Sequence, residues 1–439
     1  MTNALRLGIA GLGTVGTGVV KLLSADADRL AMRIGRPLEI TGVSARDRTK
    51  DRGIDLDGIA WHDDPVALAR ADNVDMFVEL MGGEGDPAKA AVETALKAGK
   101  HVVTANKALL AHHGTALARL AEDGGVALNY EAAVAGGIPI VKTVRESLAG
   151  NRIARVFGIM NGTCNFILTM MENEGVSFAE ALAEAQRLGY AEADPTFDVG
   201  GLDTAHKLAI LSALAFGTEV SVSSVYVEGI EHITRQDIRA ARDLGFRIKL
   251  LGVGVETDSG VEQRVHPTLV PMDSPIADVQ GVFNAVGVTG DFVGDLMLEG
   301  QGAGAFATAS SVASDIVDIA RGHVAAPFGA PATALKPYRR ARMRAHEGGY
   351  YVALELYDRI GAVAAVAQRM AEQGISLDSI VQRADLAEPN GASAKGEQTR
   401  PVIMITHDTL EKSMREALAN IDAGGHTARP SRMIRIERF

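Results

Sequence analysis

Along the first third of the chain, short apolar runs rich in β-branched residues alternate with segments whose apolar positions recur at helical spacing. The runs are LRLGIAG, LEITGVSA, VDMFVELMG, HVVTAN and VALNYEAAV, with helices predicted between them, one ending at Leu23 and another over 87–98. Five strands alternating with helices predict a doubly wound parallel α/β sheet over residues 1–141. Between 142 and 320 the rhythm changes. Longer strands such as RIKLLGVGVE and VEQRVHPTLV mix with helices over 178–188 and 202–216, which predicts a second α+β domain whose last helix can pack back on the first. Residues 321–349 are rich in Ala, Pro and Gly and read as a linker. Its arginines, Arg339, Arg340, Arg342 and Arg344, are more often a solvated face than a docking patch. Over 350–439 the strands YYVALELYD, ISLDSIVQR, PVIMITHD and SRMIRIERF, with helices over 361–373 and 409–421, follow the order β-α-β-β-α-β of a ferredoxin-like unit. The polar loop 384–400 is expected to be mobile.

Composition narrows the class. A chain of 439 residues exceeds what one core serves, and 47% hydrophobic content is ample for several. The net charge of −11, from 55 acidic and 44 basic residues spread along the chain, argues against nucleic acid or an anionic membrane as partner. A small molecule fits better. One cysteine, Cys164, excludes an intramolecular disulfide and suits a reducing compartment, so a cytoplasmic protein is expected. The apolar N-terminus lacks a basic leader and a cleavage site and reads as a strand. The longest apolar stretch, around 208–216, is far short of the ~20 residues of a membrane span.

Gly11-Leu12-Gly13-Thr14-Val15-Gly16 follows the first strand and opens a helix, the context that gives G-x-G-x-x-G its meaning. Gly11 permits the tight turn, Gly13 lets the backbone approach a pyrophosphate, and Gly16 lets the helix pack on the strand. The helix N-terminus at Thr14 and Val15 attracts the negative charge. This predicts a Rossmann-type site for a nicotinamide dinucleotide. The end of the second strand normally selects between cofactors. There Arg46 and Arg48, with Lys50 close behind, favour NADP, while Asp47 between them can hold the ribose of NAD; NADP is the expectation.

Two lysines stand out as candidate chemistry. Lys107 lies just past the carboxyl end of a parallel strand, where such sheets bind ligands. Lys207 lies in GGLDTAHKLAILSALAFG, a helix almost wholly apolar in its later turns, with Asp203 four residues earlier on the same face. An exposed i,i+4 pair is worth only about 0.2–0.5 kcal/mol. The apolar surroundings argue against full exposure, and burial lowers a lysine's pKa and suits it to proton transfer. The loop GYAEADPTFDVGG gathers Glu192, Asp194 and Asp198, which can bind a metal or a substrate ammonium, although spacing alone favours a solvated acidic loop. Cys164 has no evident histidine partner and reads as a packed residue. His112 and His113 read as surface helix positions, and His206 as facing away from Lys207.

Taken together, GLGTVG, VELMGG, TANKALLA, YEAAVAGGIPI, NGTCNFIL, GYAEADPTFDVGGLDTAHK and QGAGAFATASS resemble homoserine dehydrogenase, the family that interconverts aspartate 4-semialdehyde and homoserine in amino-acid biosynthesis. The likeness covers nearly all of residues 1–320, and the acidic loop followed by G-x-D-x-x-x-K is its most specific part. It implies that Lys207 is the general acid and base, with Asp203 as its partner. It implies that Glu192 holds the substrate's amino group, that Lys107 lies near nicotinamide and substrate, and that Gly189 and Gly302 touch the cofactor. It further implies a monovalent cation, usually sodium, whose ligands map to Glu131, Val134, Gly136 and Ile138, largely through backbone carbonyls. The C-terminal unit resembles an ACT domain, a regulatory module that binds amino acids at the loop after its first strand, here Asp358-Arg359-Ile360-Gly361. Ile360 stands where that family often has proline. Threonine is the expected effector, an oligomerisation module without ligand the alternative, and a homodimer or homotetramer the expected assembly. Aspartate-semialdehyde dehydrogenase, the rival enzyme, needs a cysteine nucleophile with a histidine base, which Cys164 lacks. An amino-acid sensor would have no use for the paired lysines.

Overall fold

The computed structural model describes residues 4–341, 347–382 and 398–438. The first domain is a parallel sheet of β1 (Leu5–Ala10), β2 (Leu38–Ser44), β3 (Ala60–His62), β4 (Met76–Glu79), β5 (His101–Thr104) and β6 (Leu128–Asn129), in the order β3-β2-β1-β4-β5-β6. It has six strands where the sequence pattern showed five. The extra one, β3, is a three-residue, half-exposed edge strand, too short for its apolar residues to show a period. The order reverses between β1 and β4, and the crevice at their carboxyl ends is where open α/β sheets bind ligands.

The helix Thr14–Ala25 buries Val19, Val20 and Leu23 against β1. Against its outer side lies the helix Ala305–Ala320, whose Ala309, Val312 and Ile316 share that core. Gly18 makes the approach possible, since a Cβ there would lie 2.8 Å from the Ala305 carbonyl oxygen.

The second domain contributes β7 (Ile153–Ile159), β8 (Tyr226–Val227), β9 (Phe246–Thr257), β10 (Gly260–Pro271), β11 (Phe283–Gly290) and β12 (Gly294–Gln301). The helix Leu202–Phe216 lies directly on this sheet. Cβ atoms at Gly252 and Gly254 of β9 would come within 3.0 Å of Thr204 Cγ2 and 2.6 Å of Ser212 Oγ. That closeness is why the helix is apolar on almost every side rather than along one stripe.

After the connecting segment come β13 (Glu347–Tyr357), β14 (Leu377–Gln382), β15 (Thr399–Thr406), β16 (Thr409–Leu410) and β17 (Arg432–Ile436), with helices Ala362–Glu372 and Glu411–Ala423. Their strands continue the sheet of the second domain, in the order β12-β11-β7-β9-β10-β17-β13-β15-β14. The seam is a parallel pairing, Thr268 with Arg435 and Leu269 with Ile436. Buried charges cross it. The Arg435 guanidinium donates to both Glu411 oxygens at 2.9 and 2.7 Å and reaches Glu228 at 3.5 Å, while Arg264 of β10 bonds Glu262 and Glu437. The connecting segment is packed as well: Phe328 is buried, and Tyr130 Oη donates to the Pro327 carbonyl at 2.7 Å. Arg339 and Arg340 are exposed. Arg342, Arg344 and nearly all of the loop 384–400 lie outside the described residues.

Candidate active site

The glycine turn occupies the crevice between β1 and β4. Gly11 has φ +100°, and a Cβ on it would overlap the Leu80 carbonyl; one on Gly16 would overlap the Gly11 carbonyl. Gly13 differs. It is the N-cap of the helix Thr14–Ala25, has φ −80°, and a Cβ there would meet nothing within 4 Å. Two of the three glycines therefore serve the fold, and the third borders open space at a helix N-terminus, where backbone N–H groups suit a phosphate. Beyond β2, Asp47 accepts from Thr49 N and Oγ1, both at 2.8 Å, so its carboxylate is engaged within its own loop. Arg48 lies over the Trp61 ring and Arg46 is exposed. Arg52, which no motif marks, donates to the Leu12 carbonyl at 3.1 Å and ties this loop to the glycine turn.

Across the crevice, one carboxylate gathers the chemistry. Asp203 sits in the first turn of the helix Leu202–Phe216 and is 3% exposed. Its Oδ2 accepts from Lys207 Nζ and from Asn161 Nδ2, both at 2.8 Å, and its Oδ1 lies 2.9 Å from Lys107 Nζ. Lys207 also donates to the Met160 carbonyl at 2.7 Å. Lys107 is the first residue of the helix Lys107–Asp123, which Asn106 caps through Leu109 N, and its ammonium lies 5.8 Å from the centre of the Phe197 ring. The two ammonium groups are tuned apart. Burial pushes the Lys207 pKa down, against the pull of Asp203 and with a further push from Lys107. Asp203 holds Lys107 above the ordinary lysine value despite burial. Burial opposes ionisation of Asp203 itself, but the two lysines outweigh it and keep its pKa well below the usual carboxylate range.

The acidic loop divides into three separate uses. Asp194 accepts from Thr196 N and Oγ1, and Asp198 accepts from Asn161 Nδ2 at 2.8 Å. Glu192 is exposed, and its charge is felt by Lys107. Among the described residues no group of three or more His, Cys, Asp or Glu is arranged to hold a metal. Cys164 is buried, with Sγ 3.2 Å from the Asp198 carbonyl oxygen, and burial raises its thiol pKa far from that of a nucleophile. His206 turns edge-on to His112 and Phe197, and His112 Nε2 lies 2.9 Å from Glu84.

The segment 131–138 curls through left-handed conformations at Ala135 (φ 57°) and Gly136 (φ 54°). The Glu131 carboxylate is spent on the backbone N–H groups of Val141 and Lys142, both at 2.8 Å, and burial with Asp315 nearby pushes its pKa up to about 7. What Glu131, Val134, Gly136 and Ile138 can offer a cation is carbonyl oxygen. Those of Glu131, Gly136 and Ile138 already accept one hydrogen bond each, from Val134 N, Ser311 Oγ and Ile140 N. A Cβ on Gly136 would overlap the Gly302 carbonyl, so the curl rests on Gly302. Gly189, with φ +77°, closes the turn after the helix Phe178–Arg187.

Two family models match: homoserine dehydrogenase NAD binding domain over residues 11–131, and homoserine dehydrogenase over 139–317. The chain is 43% identical to the homoserine dehydrogenase of Neisseria gonorrhoeae over 442 residues, covering 99% of this chain and 98% of that one. The chain belongs to the homoserine dehydrogenase family. The Pseudomonas aeruginosa homoserine dehydrogenase is also 43% identical, with 99% of each chain covered. A crystal structure of a homoserine dehydrogenase from Thiobacillus denitrificans superposes with a TM-score of 0.92 at 41% identity over 99% of each chain. A solved hyperthermophilic archaeal homoserine dehydrogenase in complex with NADPH aligns with a TM-score of 0.62 at 26% identity, over 72% of this chain and 97% of that one.

Homoserine dehydrogenase is an NAD(P)-dependent oxidoreductase, and the geometry shows which side chains this one brings together at the crevice. Lys107, Asp203 and Lys207 meet. Asn161 and the Met160 carbonyl join them although residue spacing gives no sign of it, because β7 and the cap after it deliver them from over forty residues away.

The glycine turn yields a paired expectation. Gly13→Ala should leave the melting temperature of the cofactor-free protein within about 2 °C of the parent, as at an unstrained exposed site, and weaken NADPH binding about tenfold or more. Gly11→Ala should lower the melting temperature markedly, because it combines a positive φ with a backbone overlap. Thermal melting and NADPH fluorescence titration of both variants check this. A Gly13→Ala protein that binds NADPH like the parent would remove the turn from the cofactor site.

Proposed function

We propose that homoserine oxidation and its reverse run on a division of labour between the two lysines, with Lys207 as the proton carrier and Lys107 as a standing positive charge. The observation that supports it is the single buried carboxylate, Asp203, bonded to both. A neutral Lys207 amine has two hydrogens, and the Met160 carbonyl and Asp203 Oδ2 take both. Its lone pair is then left for the substrate hydroxyl proton. A bound nicotinamide would supply the hydride chemistry at the hydroxyl-bearing carbon in either direction. In reduction, a protonated Lys207 donates its third hydrogen to the oxygen that develops negative charge. Lys107, kept cationic by Asp203 and partly open to the crevice, stabilises that oxygen electrostatically. Environments that separate two titratable groups in this way assign acid–base roles. Glu192, exposed at the mouth, is suited to the substrate's ammonium group.

The same reading extends to ligands. NADP is the preferred cofactor, because Asp47 is occupied by Thr49 while Arg46 is exposed to meet a 2′-phosphate. Thr14 and Val15, at the helix N-terminus, would face its pyrophosphate, and Gly189 and Gly302 would border it from the second domain. A sodium ion fits the neutral hard-oxygen donors of the 131–138 curl. Threonine is the proposed effector, at the cleft of about 240 Å³ beside Asp358, Arg359, Gly361 and Arg400. A cytoplasmic homodimer or homotetramer completes the proposal.

Lys207→Ala should lower kcat by about 10²–10⁴, the usual worth of a positioned acid–base group, with the KM for NADP little changed. Near-parent turnover would contradict the role. Following the oxidation with NADP and NAD separately, with and without threonine, should show a lower KM for NADP and a threonine-dependent rate. A preference for NAD would contradict the cofactor assignment, and no response of rate or melting temperature to threonine would contradict the effector.

A further inference from the structure

Glu79 ends β4, and no part of its side chain reaches solvent. Four donors converge on its carboxylate. Oε1 accepts from Met81 N at 2.7 Å, Gly82 N at 3.2 Å and Asn106 Nδ2 at 3.5 Å, and Oε2 accepts from Thr104 Oγ1 at 2.6 Å. All four donors are neutral. A buried carboxylate without a cation among its hydrogen-bond partners is costly, and the mechanism above makes no use of it.

What Glu79 holds explains its place. On one side, Met81 and Gly82 belong to the loop after β4. Leu80 N donates to the Ala10 carbonyl at 2.7 Å, and the Leu80 carbonyl occupies the space that a Cβ on Gly11 would need. The shape of this loop therefore sets the floor of the glycine turn. On the other side, Thr104 Oγ1 accepts from Asn106 N at 3.0 Å, while Asn106 Nδ2 donates to the Gly83 carbonyl at 2.7 Å and Asn106 Oδ1 caps the helix that Lys107 begins. Lys107 is the next residue along.

We infer that Glu79 is a positioning residue that sets, through two separate arms, the cofactor turn at Gly11 and the placement of Lys107 against Asp203. The second arm rests on the proposed role of Lys107. Glutamine at this position keeps the size and lets its amide oxygen accept from Met81 and Gly82. Its amide nitrogen then faces a threonine hydroxyl that already accepts from Asn106, so the hydroxyl hydrogen loses its acceptor.

The test uses the full-length protein and four variants: Glu79→Gln, Thr104→Val, Lys107→Ala, and Glu79→Gln combined with Lys107→Ala. NADPH affinity is read by fluorescence titration, and kcat with homoserine and saturating NADP. Glu79→Gln should weaken NADPH binding and lower kcat, each about tenfold, as expected for disturbing hydrogen bonds to a charged group. Thr104→Val touches only the Lys107 arm, so it should lower kcat and leave NADPH affinity unchanged. In the Lys107→Ala background Glu79→Gln should cost no further kcat while still weakening NADPH binding, since residues acting as one unit are not additive. Parent-like NADPH affinity in Glu79→Gln, or the same kcat loss in both backgrounds, would overturn the inference. If Glu79→Gln does not fold, equal losses of affinity and kcat in Thr104→Val would overturn it instead. Should Lys107→Ala keep parent turnover, the role of Lys107 fails and the second arm with it, while NADPH affinity still decides the first.

Discussion

A carboxylate taken out of water must be met by hydrogen-bond donors, charged or neutral, or it takes up a proton. Asp203 meets that requirement with three donors from three parts of the chain: Lys207 from its own helix, Asn161 from the cap after β7, and Lys107 from the first domain. The dinucleotide-binding domain and the catalytic domain thus close on one ion. Two amines beside one negative charge cannot both be comfortably protonated in a low-dielectric site, and it is the more deeply buried one, Lys207, whose proton is held less firmly. The proposed acid–base role of Lys207 draws on that imbalance. Truncating one member of such a cluster leaves an uncompensated buried charge, a loss of about 3–5 kcal/mol.

The rest of the fold keeps these groups in register by close backbone approaches. Gly18 brings the helix Ala305–Ala320 onto the cofactor helix, and Gly252 and Gly254 seat the Asp203 helix on β9. A Cβ on Gly229 would come within 2.5–3.2 Å of the Val199–Gly200 backbone, just before that helix begins. Glu228, its neighbour, is reached by Arg435 of β17, so the C-terminal strands are joined by buried charge and by one continuous sheet to the frame that carries the Asp203 helix. Ligand binding at the C-terminal unit would act on a structure already in contact with the seat of Asp203.

Features determined by neighbours in sequence were legible before the structure. The glycine turn is one, because its geometry is local, and so is the Asp203–Lys207 pair, because four residues on a helix share a face. The α/β character of the first domain followed from continuous apolar runs, and the order of elements in the C-terminal unit from turn spacing. Contacts between distant segments were not legible from spacing. Lys107 meets Asp203 across 96 residues, Asn161 has an ordinary helix-cap sequence, and Arg52 is one arginine among several. Glu79 stood in the family-like string VELMGG, but its role showed only as a polar letter ending an apolar run, VDMFVEL. The continuity of the sheet through β10 and β17 was hidden for the same reason, since an alternating strand does not announce which edge it will join.

In the proposed mechanism Asp203 sets the proton affinity of Lys207, and the pH dependence of homoserine oxidation reads that directly. With Lys207 as the proposed base, oxidation needs its amine neutral, so kcat should rise with pH through the lysine's pKa, which burial places below the ordinary value. Removing the negative charge with Asp203→Asn takes away the influence that raises this pKa. The rising limb should therefore move to lower pH, by about 1 to 3 units for a charge at hydrogen-bond distance, even as kcat itself falls. A limb that stays in place, or moves to higher pH, would contradict this role of Asp203.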